Sequence, residues 1–196
     1  MPLLRSDRGS GRRARDGAGV LEASGIRTSG GGGTLAGGAL SLRGGCQCGA
    51  VRYAARVENN DAYYCHCRMC QKAFGNLYGS FFAVDRRDVA WERGEPAYYQ
   101  SSGIARRGFC RECGTPLTFE YVDAERKMDL TVGSLDEPGR MRPVGHFGSE
   151  SIVEPFFTDD GLPRERTEDS EEFVRQWREA HGPGSMPGPL PDSSRS

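Results

Sequence analysis

Several things are scarce in this 196-residue sequence. Only Lys72 and Lys127 are lysines, against 24 arginines, and only His66, His146 and His181 are histidines. Neither sign of charge prevails: 26 basic and 27 acidic side chains leave a formal net charge of -1. The wide basic field that draws a general nucleic-acid binder to phosphate is therefore absent. No run approaches the roughly 18 apolar residues of a membrane-spanning helix. Behind the early arginines there is also no apolar stretch of about 7–15 residues, as a secretory signal would require. These absences predict a cytoplasmic, reducing location and partners that are neither nucleic acid nor membrane. Aromatic residues are missing from the flanks, since all 18 lie between Tyr53 and Trp177. The material for a hydrophobic core is thus confined to about 44–180, a comfortable size for one domain.

What is abundant is glycine, 28 residues, of which 11 fall in 1–43 beside seven arginines and three acids. An arm of that composition could touch RNA or lipid, or resemble a transit peptide, but it matches a disordered extension best. The expected organisation is a disordered extension at 1–41, a folded domain at 42–180 and a Gly/Pro/Ser-rich disordered tail at 181–196. Within the domain, short alternating or apolar runs broken by Gly, Pro and charge predict strands at 50–57, 77–84, 89–93, 97–101, 105–110, 116–121, 128–135 and 152–157. This spacing indicates a mainly β, antiparallel domain rather than βαβ units. One short C-terminal helix is expected at 170–180. Ser170 or Asp169 would be its N-cap, Glu171 and Glu172 would favour its positive end, and Phe173 and Trp177 would share a face turned to the sheet.

The seven cysteines fall into three groups: Cys46 and Cys48; Cys65, Cys67 and Cys70; Cys110 and Cys113. In a reducing compartment clustered thiols point to metal or nucleophile chemistry before disulfides. Gly49 follows Cys48 and Gly114 follows Cys113, and glycine supplies the positive φ of a tight turn whose thiolates converge on one ion. Two such turns can close one tetrahedral site, so Cys46, Cys48, Cys110 and Cys113 are expected to hold a structural zinc. That leaves Cys65, Cys67 and Cys70 for a second zinc with its fourth position open to a substrate, two ions per chain in all. A redox pair, or one ion with spare thiols, is the alternative.

The segments that carry these cysteines resemble the glutathione-dependent formaldehyde-activating enzyme family, also called centromere-protein-V-like. They are Gly44-Gly45-Cys46-Gln47-Cys48-Gly49-Ala50-Val51-Arg52-Tyr53, then Cys65-His66-Cys67-Arg68-Met69-Cys70-Gln71-Lys72-Ala73-Phe74-Gly75, then Arg107-Gly108-Phe109-Cys110-Arg111-Glu112-Cys113-Gly114-Thr115-Pro116-Leu117. Gly133-Ser134-Leu135-Asp136 and the run from Pro155 to Pro163 extend the likeness over about 42–163. The resemblance implies a β-tent fold and the same four-plus-three division of cysteines. It also implies a carbon–sulfur lyase that, in reverse, joins formaldehyde to glutathione as S-hydroxymethylglutathione. A small thiol or its aldehyde adduct would then be the partner, with Cys65, Cys67 and Cys70 at the catalytic zinc. Relatives of the fold also include chaperone-like and cytoskeleton-associated proteins, so a non-catalytic zinc-stabilised binding module is the competing expectation.

Other polar residues have assignable places. His66, between two expected ligands, should point away from them as a supporting or surface group. His146 is either an ordinary half-buried histidine or a ligand or proton shuttle at the open zinc. No role is expected for His181. Arg68, Lys72, Arg106 and Arg107 are candidate partners for the carboxylates of a glutathione-like tripeptide, unless they are simply solvated. Tyr63, Tyr64, Phe74, Tyr78, Phe81 and Phe82 read as core and pocket wall, and Asp136 and Asp160 as turn caps.

Overall fold

The computed structural model describes residues 39–156 and 159–186. The expected N-terminal extension falls outside the described residues up to position 38, and the C-terminal tail falls outside them from position 187. The elements run β1 (Leu40–Gly45), β2 (Arg52–Val57), β3 (Asp61–Cys65), α1 (Arg68–Phe74), β4 (Gly79–Asp85), β5 (Val89–Arg93), β6 (Ala97–Gln100), β7 (Ala105–Phe109), β8 (Pro116–Tyr121), β9 (Lys127–Thr131), β10 (Arg142–Phe147), β11 (Arg164–Glu165) and α2 (Glu171–His181). They form a three-stranded sheet, β1-β2-β5, and an eight-stranded sheet in the order β11-β10-β3-β4-β9-β8-β7-β6.

The fold is mainly β with a short C-terminal helix. Its named strands pair antiparallel except that β10 runs parallel to both β3 and β11. Sequence reasoning passes over β10 because its Pro143 and Gly145 read as breakers. Proline lacks the donor that a central ladder needs, and the β10–β3 register does shift between Pro143 and His146. The run 152–157, expected as a strand, instead contains the 3-10 turn Glu154–Phe156, and Phe157 lies outside the described residues. The last part of 128–135 likewise turns, as Val132–Ser134.

Alternation along the large sheet divides the core in two. On β4, Phe82 and Val84 join Leu42, Tyr53, Val57, Met128 and Leu130 in the cluster shared with the small sheet. Phe81, one residue out of phase, faces the other way and packs with Tyr63, Phe147, Phe173 and the Cys65/Cys67/Cys70 group. Tyr53 is wholly buried, and its hydroxyl meets the Ser134 hydroxyl at 2.7 Å, so the first cluster retains a satisfied polar group. α2 closes the second cluster as its pattern predicts. Phe173 sits edge-on to Phe147 with ring centroids 5.7 Å apart, and Trp177 stacks on Phe173. Ser170 occupies the N-cap position, although its hydroxyl makes no capping bond.

Candidate metal centres

The first cysteine group is assembled by two similar turns. After β1, the Gly49 amide donates to the Cys46 carbonyl at 3.1 Å; after β7, the Gly114 amide donates to the Cys110 carbonyl at 2.9 Å. Both glycines have positive φ, 77° and 75°, the conformation expected where an L side chain would be strained. The Gln47 amide donates to the Thr115 hydroxyl at 3.1 Å and locks one turn to the other. As a result Cys46, Cys48, Cys110 and Cys113 offer four sulfurs within 4.8 Å of one another.

The second group is built differently. Cys65 ends β3, and Cys67 is the N-cap of α1, its sulfur accepting from the Cys70 amide at 3.4 Å. One helical turn then brings Cys70 back beside Cys67. This helix is absent from the strand-based reading because a seven-residue segment, RMCQKAF, shows little apolar periodicity. Cys65, Cys67 and Cys70 are all buried, and their sulfurs also lie within 4.8 Å of one another.

Both groups fit a tetrahedral thiophilic ion. A zinc–sulfur bond of about 2.3 Å requires ligand sulfurs about 3.8 Å apart. The observed separations are 3.5 Å for Cys46–Cys48, 3.8 Å for Cys48–Cys110 and 3.5 Å for Cys65–Cys67. No disulfide joins any of the seven cysteines. Both groups can therefore hold metal ions, the first with four protein ligands and the second with three.

Each group sets some thiols toward the thiolate and others, Cys48 and Cys67 among them, toward the protonated form. Hydrogen bonds from the Thr115 hydroxyl and amide hold the Cys113 thiol down at about 5. In the three-cysteine group, Cys65 and Cys67 hold Cys70 well below its usual range, with Arg107 assisting and burial opposing. Conversely, Cys65 is driven up by Cys67 and Cys70. Cys70 is thus the readiest thiolate of the three.

The three sulfurs line an apolar pocket of about 420 Å³, counting its open mouth, whose walls include Tyr63, Phe81, Phe119, Phe147 and Phe173. Among the four cations proposed for substrate carboxylates, only Arg107 reaches this pocket. Arg106, its neighbour on β7, points the opposite way, donating to Glu120 at 2.8 Å and covering the Tyr98 ring. Arg68 is engaged by Gln71, and Lys72 is exposed.

Residues 41–150 match the family described as glutathione-dependent formaldehyde-activating enzyme. The chain belongs to that family. A protein named as an uncharacterized lyase in Schizosaccharomyces pombe is 32% identical over 82 residues, 42% of this chain and 59% of that protein. The matched stretch therefore spans less than two thirds of the relative. A Rhodobacter sphaeroides protein of known crystal structure is 26% identical, covering 48% of this chain and 88% of its own, with a TM-score of 0.42.

In this family member two of the histidines, His66 and His146, bond to each other and do not line the pocket. His146 is wholly buried and does not line the pocket, so the structure does not bring it to the three sulfurs as ligand or shuttle. Its Nε2 lies 3.0 Å from the Asp160 carboxylate and its Nδ1 lies 2.9 Å from His66 Nε2. An ionised carboxylate only accepts, so a neutral His146 donates from Nε2, which makes its Nδ1 the acceptor for His66 Nε2–H. Burial, then the His146 ring, pushes His66 down to about 4, in keeping with a neutral ring. The His66 amide also donates to the Phe147 carbonyl at 2.8 Å, which fixes the Cys65–Cys67 segment against β10. His66 is accordingly a buried support, as its place between two candidate ligands suggests.

Asp160 also caps a turn, accepting from the Leu162 amide at 3.1 Å, whereas Asp136 accepts from Arg52 at 2.9 Å across 84 positions of sequence and ties β2 to the turn after β9. His181 stacks on Trp177 at 4.0 Å and accepts from the Gly103 amide, a packing role that its place beside the Gly/Pro tail did not suggest.

Asp129 is the group that sequence reasoning misses. It sits in β9, directly opposite Phe119 on one side and Ala83 on the other, and is wholly buried. The available signal was one carboxylate among Met128, Leu130 and Val132. Burial pushes its acid up to about 8, with nearby Cys70 adding to the rise and Tyr63 and Lys127 pulling the other way. Between its ordinary value of 3.8 and about 8, the unfolded chain has lost this proton and the folded chain has kept it. Stability attributable to Asp129 therefore falls as pH rises through that window. Asp129→Asn should remove this slope, so that thermal melts of the variant and wild type converge near pH 4 and separate by pH 8, the variant being the more stable by on the order of a few kcal/mol. Parallel melting curves across the range would contradict it.

Proposed function

We propose that this chain is a zinc-dependent carbon–sulfur lyase-type enzyme acting on the adduct of a small thiol and a small aldehyde, in the manner of an S-hydroxymethylglutathione synthase. The observation that carries the reading is the contrast between two thiol groups. One offers four sulfurs from two locked turns, sufficient to fill a tetrahedral ion; the other offers three buried sulfurs on the wall of an apolar pocket. A scaffold needs only the first. Zinc in the three-cysteine site would supply a cation that stabilises an incoming thiolate.

The chain's own residues supply the rest. Tyr63, Phe81, Phe119 and Phe147 exclude water from the sulfurs, so charge developing there is poorly screened by solvent. The His66–His146–Asp160 chain orients the Cys65–Cys67 segment from behind. In the synthetic direction a sulfur–carbon bond forms, the aldehyde C=O π bond opens, and the thiol proton ends on that oxygen. The reverse reaction returns thiol and aldehyde, with no oxidant or reductant required. Seven free thiols suit a reducing, cytoplasmic setting.

The test is NMR exchange spectroscopy of formaldehyde with a panel of thiols, glutathione included, in the presence of the zinc-loaded protein. Acceleration of one thiol's exchange above the uncatalysed rate is expected. Failure to accelerate any of them would replace the enzyme with a binding module.

A further inference from the structure

Resting on that reading, we propose that Arg107 is a catalytic residue that receives the aldehyde oxygen, its remaining N–H groups stabilising the oxyanion formed when sulfur attacks carbon. Arg107 is 8% exposed, and its Nε and Nη1 atoms find no hydrogen-bond partner among the described residues. A buried charged group normally has its donors satisfied, because each donor left empty keeps the full cost of its lost hydration. Among the described residues no carboxylate pairs with this one. Its guanidinium lies 4.9 Å from the centre of the Phe119 ring and lines the same pocket as the three cysteines.

The third nitrogen fixes where the vacant donors stand. Nη2 donates to the Cys70 sulfur at 3.3 Å, so the guanidinium borders the sulfur triad rather than the outer mouth. An acceptor meeting Nε or Nη1 is consequently an oxygen close to the reacting sulfur. In a thiol–aldehyde adduct that oxygen is bound to the carbon that carries the sulfur. The backbone carboxylates of a tripeptide lie farther from its thiol. As the S–C bond forms, negative charge grows on the aldehyde oxygen, and fixed N–H donors in an apolar site stabilise that charge without reorganising. When the proton arrives, the oxygen becomes the hydroxyl of the adduct and the guanidinium remains charged throughout.

Arg107→Gln and Arg107→Lys, each as the full zinc-loaded chain, test the assignment by two measurements. One is turnover with the thiol that wild type accelerates, and the other is calorimetric affinity for that thiol alone. Arg107→Gln should lower kcat by about 10²–10³-fold, the usual cost of an oxyanion donor, with thiol affinity and zinc content unchanged. Arg107→Lys, which keeps the charge but loses the fork, should fall between the two; if the Gln variant does not fold, a Lys variant with undiminished kcat overturns the assignment. So does a Gln variant that loses thiol affinity in the proportion that it loses kcat/KM, since Arg107 would then be a carboxylate anchor. Wild-type acceleration undiminished in the Gln variant defeats this inference alone, whereas a wild type that accelerates no thiol defeats the enzymatic reading and this inference with it.

Discussion

Cys113→Ser should leave the domain unable to hold its native state at physiological temperature. The four-cysteine site draws Cys46 and Cys48 from the turn between β1 and β2, in the small sheet, and Cys110 and Cys113 from the turn between β7 and β8, in the large one. An ion there cross-links two sheets through positions 62 or more residues apart, a constraint far longer than either turn supplies by itself. Apparent binding energies of structural zinc in small peptides run to about 10–16 kcal/mol, comparable with the whole net stability of an ordinary domain, about 5–15 kcal/mol. Serine is a poor ligand for a soft ion, and the substitution also removes the thiol that Thr115 holds most readily ionised. Circular dichroism melts should show a midpoint lowered by on the order of 10 °C or more, if a cooperative transition survives at all. Metal analysis should find one zinc per chain where two are expected for wild type. An unchanged midpoint with two ions bound would show that the first group is not a structural site.

The positions of the cysteines were legible in the sequence because their chemistry is local. Two thiols beside a glycine make a turn that needs nothing distant to shape it, and the four-plus-three division follows from counting such turns. The strands at β2, β4 to β8 and the aromatic face of α2 were legible for the same reason, being written in alternation or in i, i+4 spacing. What stayed hidden depends on pairing across long separations. β3 and β10 carry Cys65 or Pro143 and pair with each other, and parallel partners 81 or 82 residues apart leave no trace in a window of ten. Arg107 and Arg106 look equivalent in sequence. Only the pleat of β7, with Phe119 opposite one and Glu120 opposite the other, sends one guanidinium to the pocket and the other to solvent. His146 looked free to approach the open site because nothing in its own segment reveals Asp160 and His66 on either side of its ring.

Cys67→Ser should have the opposite profile to Cys113→Ser, loss of activity in a protein that still folds. Cys67 contributes to local structure chiefly as the N-cap of α1, accepting from the Cys70 amide. Serine is among the strongest N-cap residues and its oxygen can accept the same bond, so the helix start survives the exchange. The aromatic contacts around the pocket, Phe81 with Tyr63 and Phe147 with Phe173, do not involve this sulfur. Serine does not replace the thiolate: two buried thiols cannot hold an ion as three do, and if a cation there lowers the barrier by about several kcal/mol, its loss should cut turnover by about 10³-fold or more. The melting midpoint should shift by only a few degrees, the change expected from about 1 kcal/mol. Because each variant is expected to lose one ion, zinc content by itself does not separate them. The separation lies in pairing it with stability and turnover: a folded, inactive one-zinc protein for Cys67→Ser and an unfolded one for Cys113→Ser. A Cys67→Ser protein that turned over at the wild-type rate would move the chemistry out of the three-cysteine pocket altogether. One that unfolded as readily as Cys113→Ser would make the second ion a structural element like the first.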